Sequence, residues 1–308
     1  VSNDRPKNVA ASVKARLTDL GRRQGEEFQL VLTRYAIERL LYRLAFTPHA
    51  GEFVLKGAML FRLWADSPHR PTRDLDLLGR GDPSVERLAA VFRDVCGAAV
   101  EDDGLAFDPT AVTAGRIKED QEYEGVRVGC VAKLGQARID LQVDVGFGDA
   151  VTPAPVTVRY PGLLDFPTAE LAAYPRETVV AEKFQAMVAL GIANSRMKDF
   201  FDVWVLARLY PFAGPVLADA VRATFAHRKT PVPAVPPLAL TAEFGTDARK
   251  VTQWRAFLKK GRLDAGGAEL AAVCEFLSGC LMPVAYSVAG GEAFDRTWAA
   301  GGPWQSVV

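Results

Sequence analysis

Two aspartates one residue apart, Asp74 and Asp76 in RPTRDLDLLG (70–79), are a pair whose type and spacing suggest chemistry. Leu75, Leu77 and Leu78 around them predict a strand, in which residues i and i+2 face the same side. Their α-carbons then stand roughly 6–7 Å apart, at ~3.3 Å of rise per residue. Like charges this close, set among leucines, are costly unless something neutralises them. Divalent cations can do so. They are hard ions that prefer oxygen, and pairs of them sit about 3.5–4 Å apart in many phosphoryl-transfer sites.

Two further stretches fit that chemistry. In FVLKGAMLFRLWA (53–65) a short strand turns at Gly57 and continues as a helix, whose N-terminal N–H groups could meet a phosphate. In RIDLQVDVGFGD (138–149), Asp140, Gln142 and Asp144 alternate with Ile139, Leu141, Val143 and Val145. A third carboxylate on a neighbouring strand would complete a metal triad. Asp144 is the expected residue, since it lies near the strand end before GFG, with Asp140 as the alternative.

Around these residues the sequence predicts helices over 8–24 and 26–46, the second with an apolar helical stripe. Strands are predicted near 105–108, 110–118, 125–135 and 137–147, the last two forming a hairpin, with a helix over PSVERLAAVFRDVCGAA between the aspartate strand and this group. VTVRYPGLLDF is expected to be an edge strand or loop. From YPRET onward the period becomes helical: ETVVAEKFQAMVALG ending at Gly191, SRMKDFFDVWVLARLYP, and helices near 246–260 and 267–289. The Pro-rich segment 230–240 is read as a loop. The expected fold is α+β, a mixed sheet flanked by helices with a helical C-terminal part. The expected division is 1–175, the N-terminal helices and the core, and 176–308, a helical domain that completes the active site.

Composition bounds the rest. The 308 residues are 49% hydrophobic and 24% charged, enough for a sizeable core. Lys and Arg number 37, as do Asp and Glu, so no global nucleic-acid signature exists. Residues 222–260 form a local exception, with Arg222, Arg228, Lys229, Arg249, Lys250, Arg255, Lys259 and Lys260. No continuous apolar run reaches the ~18 residues of a membrane span, and no signal-peptide core opens the chain. Four scattered cysteines and three histidines argue against a zinc site and for a reducing, cytoplasmic setting.

LKGAMLF…RPTRDLDLLG, VDVGFGD, AEKFQAM and SRMKDFFDVWVL, in this order and spacing, resemble the AbiEii/AbiGii toxin family of nucleotidyltransferases, relatives of the DNA polymerase β superfamily. The resemblance runs from about residue 10 to about residue 260 and implies a nucleotidyltransferase-type fold. It implies that Asp74 and Asp76 are metal ligands, for Mg2+ or Mn2+; Asp144, with Asp140 as the alternative, remains the expected third from the residues themselves. Lys183 in AEKFQAM would contact the phosphates of a nucleoside triphosphate, and Asp199 and Asp202 in KDFFD would lie beside it. One departure stands out: the superfamily glycine is typically followed by Ser, and here Gly57 is followed by Ala58, with 15 residues between Ala58 and Asp74. Lys56, the Gly57–Ala58 backbone, Arg73 and Lys183 would then supply the grip on the nucleotide. The resemblance further implies an RNA acceptor, first of all the 3′ end of a tRNA. It implies a toxin role in a type IV toxin–antitoxin or phage-defence system, an AbiEi-like antitoxin without a stable complex, and no membrane partner. A small-molecule nucleotidyltransferase of the antibiotic-modifying kind and a non-catalytic nucleotide-binding relative are the alternatives.

Overall fold

A computed structural model describes residues 8–64, 70, 72–117 and 125–306. Ala65, Pro71 and Lys118, each at the edge of a predicted element, lie outside the described residues. The chain divides into two units, Val1–Gly148 with Val156–Ala173, and Asp149–Pro155 with Tyr174–Val308.

The first unit holds α1 (Val9–Gln24), α2 (Phe28–Ala45), β1 (Phe53–Lys56), α3 (Phe61–Trp64), β2 (Asp74–Gly79), α4 (Val85–Gly97), β3 (Leu105–Phe107), β4 (Thr113–Arg116), β5 (Gly125–Leu134), β6 (Ala137–Phe147), β7 (Val156–Arg159) and β8 (Glu170–Ala173). Its sheet runs β3-β5-β6-β2-β1-β8-β7, with β4 also paired to β5. The β5–β6 hairpin and the β1–β2 pair are antiparallel, whereas β2 lies parallel to β6 and β1 parallel to β8. This is the expected mixed sheet flanked by helices. Val126, Val128, Ile139, Leu141, Val143, Leu75 and Leu77 are buried. The helices α1, α2 and α4 pack on this sheet. The alternation in β2, β5 and β6 therefore turns the polar residues to the opposite face.

The expected apolar stripe on α2 understates its burial. Every residue from Leu30 to Leu44 is buried, charged ones included. Arg39 Nε and Arg43 Nη1 each donate to Asp103 Oδ2 at 2.7 Å, and the Tyr35 hydroxyl donates to the Asp103 carbonyl at 2.7 Å. Burial alone would push the Asp103 carboxyl up. The hydrogen bonds and charges of Arg43 and Arg39 outweigh it and hold the group below the usual carboxylate range. These pairs make a helix carrying buried charge tolerable.

The second unit holds α5 (Arg176–Leu190), α6 (Met197–Leu209), β9 (Phe212–Ala213), α7 (Gly214–His227), α8 (Ala242–Thr246), α9 (Ala248–Gly261), α10 (Leu270–Gly290), β10 (Arg296–Trp298) and β11 (Trp304–Ser306). Four features escaped the sequence reading: β8, α7, α8 and the small β11-β10-β9 sheet. The strands of that sheet are two or three residues long and show no period. Its Trp298 and Trp304 rings stack edge to face at 5.5 Å, so side-chain packing rather than pattern makes it. The reading of apolar runs also needs correction. Spanning 21 residues at a mean hydropathy of 1.5 in its most apolar window, α10 is long and apolar enough to cross a membrane. Half of that window is buried, and α10 packs on α6, α7 and α8, as the core helix of a folded unit does.

Candidate active site

Cross-strand register assembles the polar face of the first unit. Lys56 on β1 is paired with Asp76 on β2, Asp76 with Asp144 on β6, Asp144 with Arg127 on β5, and Arg127 with Gly115 on β4. The adjacent rung runs Asp74, Gln142, Gly129, Thr113. Residues paired in register share a face, so Asp74, Asp76 and Asp144 stand side by side across two parallel strands. Asp140 lies outside this set, because its cross-strand partner is Val131 and β2 begins only at Asp74.

Gly57 shapes the site from below. Its φ is +74°, a left-handed conformation that side chains rarely adopt. A Cβ built there would lie 2.0 Å from Asp76 Oδ2. The glycine is therefore the cradle on which the Asp76 carboxylate rests. After it the backbone makes a 3-10 turn over Gly57–Leu60 and the short α3, in place of the single helix expected. Ala58 is buried in that turn. Arg73 is exposed immediately before β2.

Oxygen donors on one face suit a hard divalent cation, and the seating of Asp76 on Gly57 leaves room for no side chain beneath it. The expected three-carboxylate cluster is nevertheless not gathered. Among the described residues no group of three or more His, Cys, Asp or Glu side chains sits at metal-holding distance. The physical reason is visible at Asp144. Arg127 grips it through Nε–Oδ1 and Nη2–Oδ2 bonds, both 2.9 Å, and Gln142 Nε2 donates to Oδ2 at 3.2 Å. A bidentate guanidinium holds the carboxylate that the third ligand position requires. Arg127 is the residue the sequence reading missed. The alternation of GVRVGC places it on the polar face, but only register sets it opposite Asp144.

In the second unit, Lys183, Asp199 and Asp202 come together. Lys183 Nζ lies 2.6 Å from Asp199 Oδ1 and 2.9 Å from Asp202 Oδ2. Both carboxylates are fully buried, and the Lys183 side chain is 13% exposed. Arg196 Nε adds a second cation 2.8 Å from Asp199 Oδ2. The spacing across α5 and α6 explains the meeting. Asp199 and Asp202 are one helical turn apart and share a face of α6, which packs on α5.

The basic stretch 222–260 is less uniform than its sequence implies. Arg228 is half-buried beside Asp149, Gln185 and Glu182. Lys250 is buried, with Nζ donating to the Asn194 carbonyl at 2.9 Å. The exposed basic residues of α9 are Arg249, Arg255, Lys259 and Lys260, and Arg255 pairs with Glu269 at 3.1 Å.

The profile of the AbiEii family, the nucleotidyl transferase toxin of a type IV toxin–antitoxin system, matches residues 39–275. The chain belongs to this family. The AbiEii match makes the protein a nucleotidyltransferase by family, and its fold a nucleotidyltransferase-type α+β fold. Among solved structures, JHP933 from Helicobacter pylori is similar at 16% identity and a TM-score of 0.48, over 86% of this chain and 94% of that one. A second H. pylori structure, described as a candidate nucleotidyltransferase, is similar at 16% identity and a TM-score of 0.47, over 86% and 96%. No curated protein matches.

Proposed function

We propose that this AbiEii-family protein transfers a nucleotide from a nucleoside triphosphate to the 3′ end of an RNA, a tRNA first of all. The observation that carries the reading is the rung Lys56–Asp76–Asp144 with Gly57 seated under Asp76. Lys56 and the Gly57–Ala58 backbone meet the triphosphate on the β1 side, where a point charge suits phosphate oxygens. Arg73 extends that grip within the first unit. In the second unit, Lys183, held by Asp199 and Asp202, is the lysine the resemblance assigns to the phosphates. Asp74 and Asp76 would hold Mg2+ or Mn2+, with Asp144 joining them once Arg127 releases it; the ion would lower the pKa of an attacking hydroxyl and offset phosphate charge.

The acceptor hydroxyl oxygen forms a bond to the α-phosphorus, and the bond from that phosphorus to the bridging oxygen of the β-phosphate breaks. Pyrophosphate leaves with the electron pair. Once freed from Arg127, Asp144 would take the hydroxyl proton as general base, a role that needs hydrogen-bond reach of the acceptor. The exposed basic residues Arg249, Lys259 and Lys260 of α9 meet the RNA backbone. In the cell the protein is read as the toxin of a phage-defence pair. Its AbiEi-like antitoxin acts without a lasting complex.

The test incubates the protein with Mg2+, bacterial RNA and each labelled nucleoside triphosphate, beside Asp76→Ala. Label entering a tRNA-sized band with wild type alone is the expected result. Label on a small acceptor without RNA, or no label with any triphosphate, refutes it.

A further inference from the structure

The third carboxylate of the strand rung is already engaged. Arg127 on β5 grips both oxygens of Asp144 through Nε and Nη2, each at 2.9 Å, and Gln142 Nε2 donates to Oδ2 at 3.2 Å. We propose that Arg127 is a latch on the metal site: its guanidinium and the divalent cation compete for Asp144, so that Arg127 sets how tightly the resting protein holds the ion. This deepens the transferase reading above and rests on its assignment of the cation to Asp74 and Asp76.

Three observations lead there. The first is occupancy of the oxygens. A carboxylate offers about four lone-pair directions, and the hydrogen bonds from Arg127 and Gln142 engage three of them. A cation at Asp76 that turned to Asp144 would find those directions filled and a positive charge fixed beside them. Asp76 and Asp144 are partners in register, so the freed carboxylate would stand beside Asp76 with the strands in place.

The second is the looseness of the grip. The Arg127 side chain is 51% exposed, and an ion pair open to water yields readily to a competitor. The Arg39–Asp103 pair, by contrast, is fully buried on both sides. Nor does the hairpin need the Arg127 bond. Backbone pairing from Gly125 with Gly146 to Leu134 with Ala137 already fixes β5 on β6.

The third is room. The next residue on the rung is Gly115 of β4, and a Cβ there would meet nothing within 4 Å. An open cavity of about 570 Å3 is lined by Gly115, Gly129 and Arg127 itself. The guanidinium can therefore swing off Asp144 by rotation of its own side chain, toward a position that carries no side chain.

The experiment measures binding of Mn2+ alone, without triphosphate or RNA, by loss of the free-ion EPR signal. Luminescence lifetimes of bound Eu3+, a hard ion that takes the same oxygen ligands, are then compared in H2O and D2O to count the waters left on it. Arg127→Gln and Arg127→Ala remove the fork. Arg138→Gln, on the same face of β6 and paired with Asp140, controls for charge. Thermal melts confirm that each variant is folded. Both Arg127 variants are expected to bind Mn2+ about fivefold or more tightly than wild type, and to leave at least one water fewer on Eu3+. Adding Asp144→Asn to Arg127→Gln should restore the wild-type water number, because the ligand gained is Asp144. Arg138→Gln should match wild type in both readings. Wild-type Mn2+ affinity in the Arg127 variants, or no ion bound by any of the proteins, overturns the proposal. So does tighter binding with an unchanged water number, which would be an effect of charge alone. Neither reading needs turnover. Labelling that fails while the Arg127 variants tighten the ion would refute the transferase and keep the latch; labelling that succeeds with ion binding unchanged would do the reverse.

Discussion

Replacing Gly57 by alanine is the sharpest perturbation of the catalytic face. Two effects follow from one methyl group. The residue keeps φ near +74°, where a Cβ crowds the following carbonyl at about 1–2 kcal/mol. The Cβ also falls 2.0 Å from Asp76 Oδ2 and 2.7 Å from its Cγ, where real contacts stay beyond 3.0 Å. The carboxylate must retreat by about 1 Å, or the β1 turn must shift by as much. A misplacement of about 1 Å at a reacting centre costs roughly 100-fold in rate. The expected stability loss is about 1–2 kcal/mol, which lowers the melting temperature by roughly 2–8 °C in a unit of this size. Calorimetry and the labelling assay read the two effects separately. A variant that keeps wild-type melting and wild-type transfer would show that neither the turn nor the seat of Asp76 is as described. One that loses stability but keeps transfer would place the reacting carboxylate elsewhere.

Two further outcomes follow from buried charge. Lys183→Met removes the cation that the fully buried Asp199 and Asp202 share, and should cost about 3–5 kcal/mol in urea unfolding. A loss under 1 kcal/mol would contradict the buried pairing. Glu38 tests the pH dependence. Burial, eased by the Leu163 amide and by Arg39 and Arg62, pushes its carboxyl up to about 7. The folded chain then holds a proton that the unfolded chain has released above about pH 4.5, so stability falls as pH rises from about 4.5 to about 7. Glu38→Gln should flatten that slope, which amounts to at most about 3 kcal/mol, and raise the denaturation midpoint at pH 8. An unchanged slope would refute the assignment.

Much of the architecture was legible because it rests on local period. The β5–β6 hairpin follows from strict alternation, and α1, α5 and α6 from apolar spacing, turn residues and a terminal glycine. The elements that escaped were mostly short, though α7 was missed at 14 residues. A two-residue strand has no period, and α2, apolar on most sides, hides its charged pairs until Asp103 arrives from 60 residues away.

By itself the sequence determined which residues could do chemistry: paired carboxylates on one strand face, a glycine with no side chain, and a lysine and two aspartates at helical spacing. It also determined the AbiEii family, because the motifs stand in order. Only the tertiary structure decided which of these meet. Register chose Asp144 over Asp140 as the neighbour of Asp76: both face the same side of β6, and only the pairing of β2 with β6 fixes which one stands opposite. The same register set Arg127 on Asp144. Pairing between strands distant in sequence is a global outcome of burying the opposite face, and no local pattern encodes it.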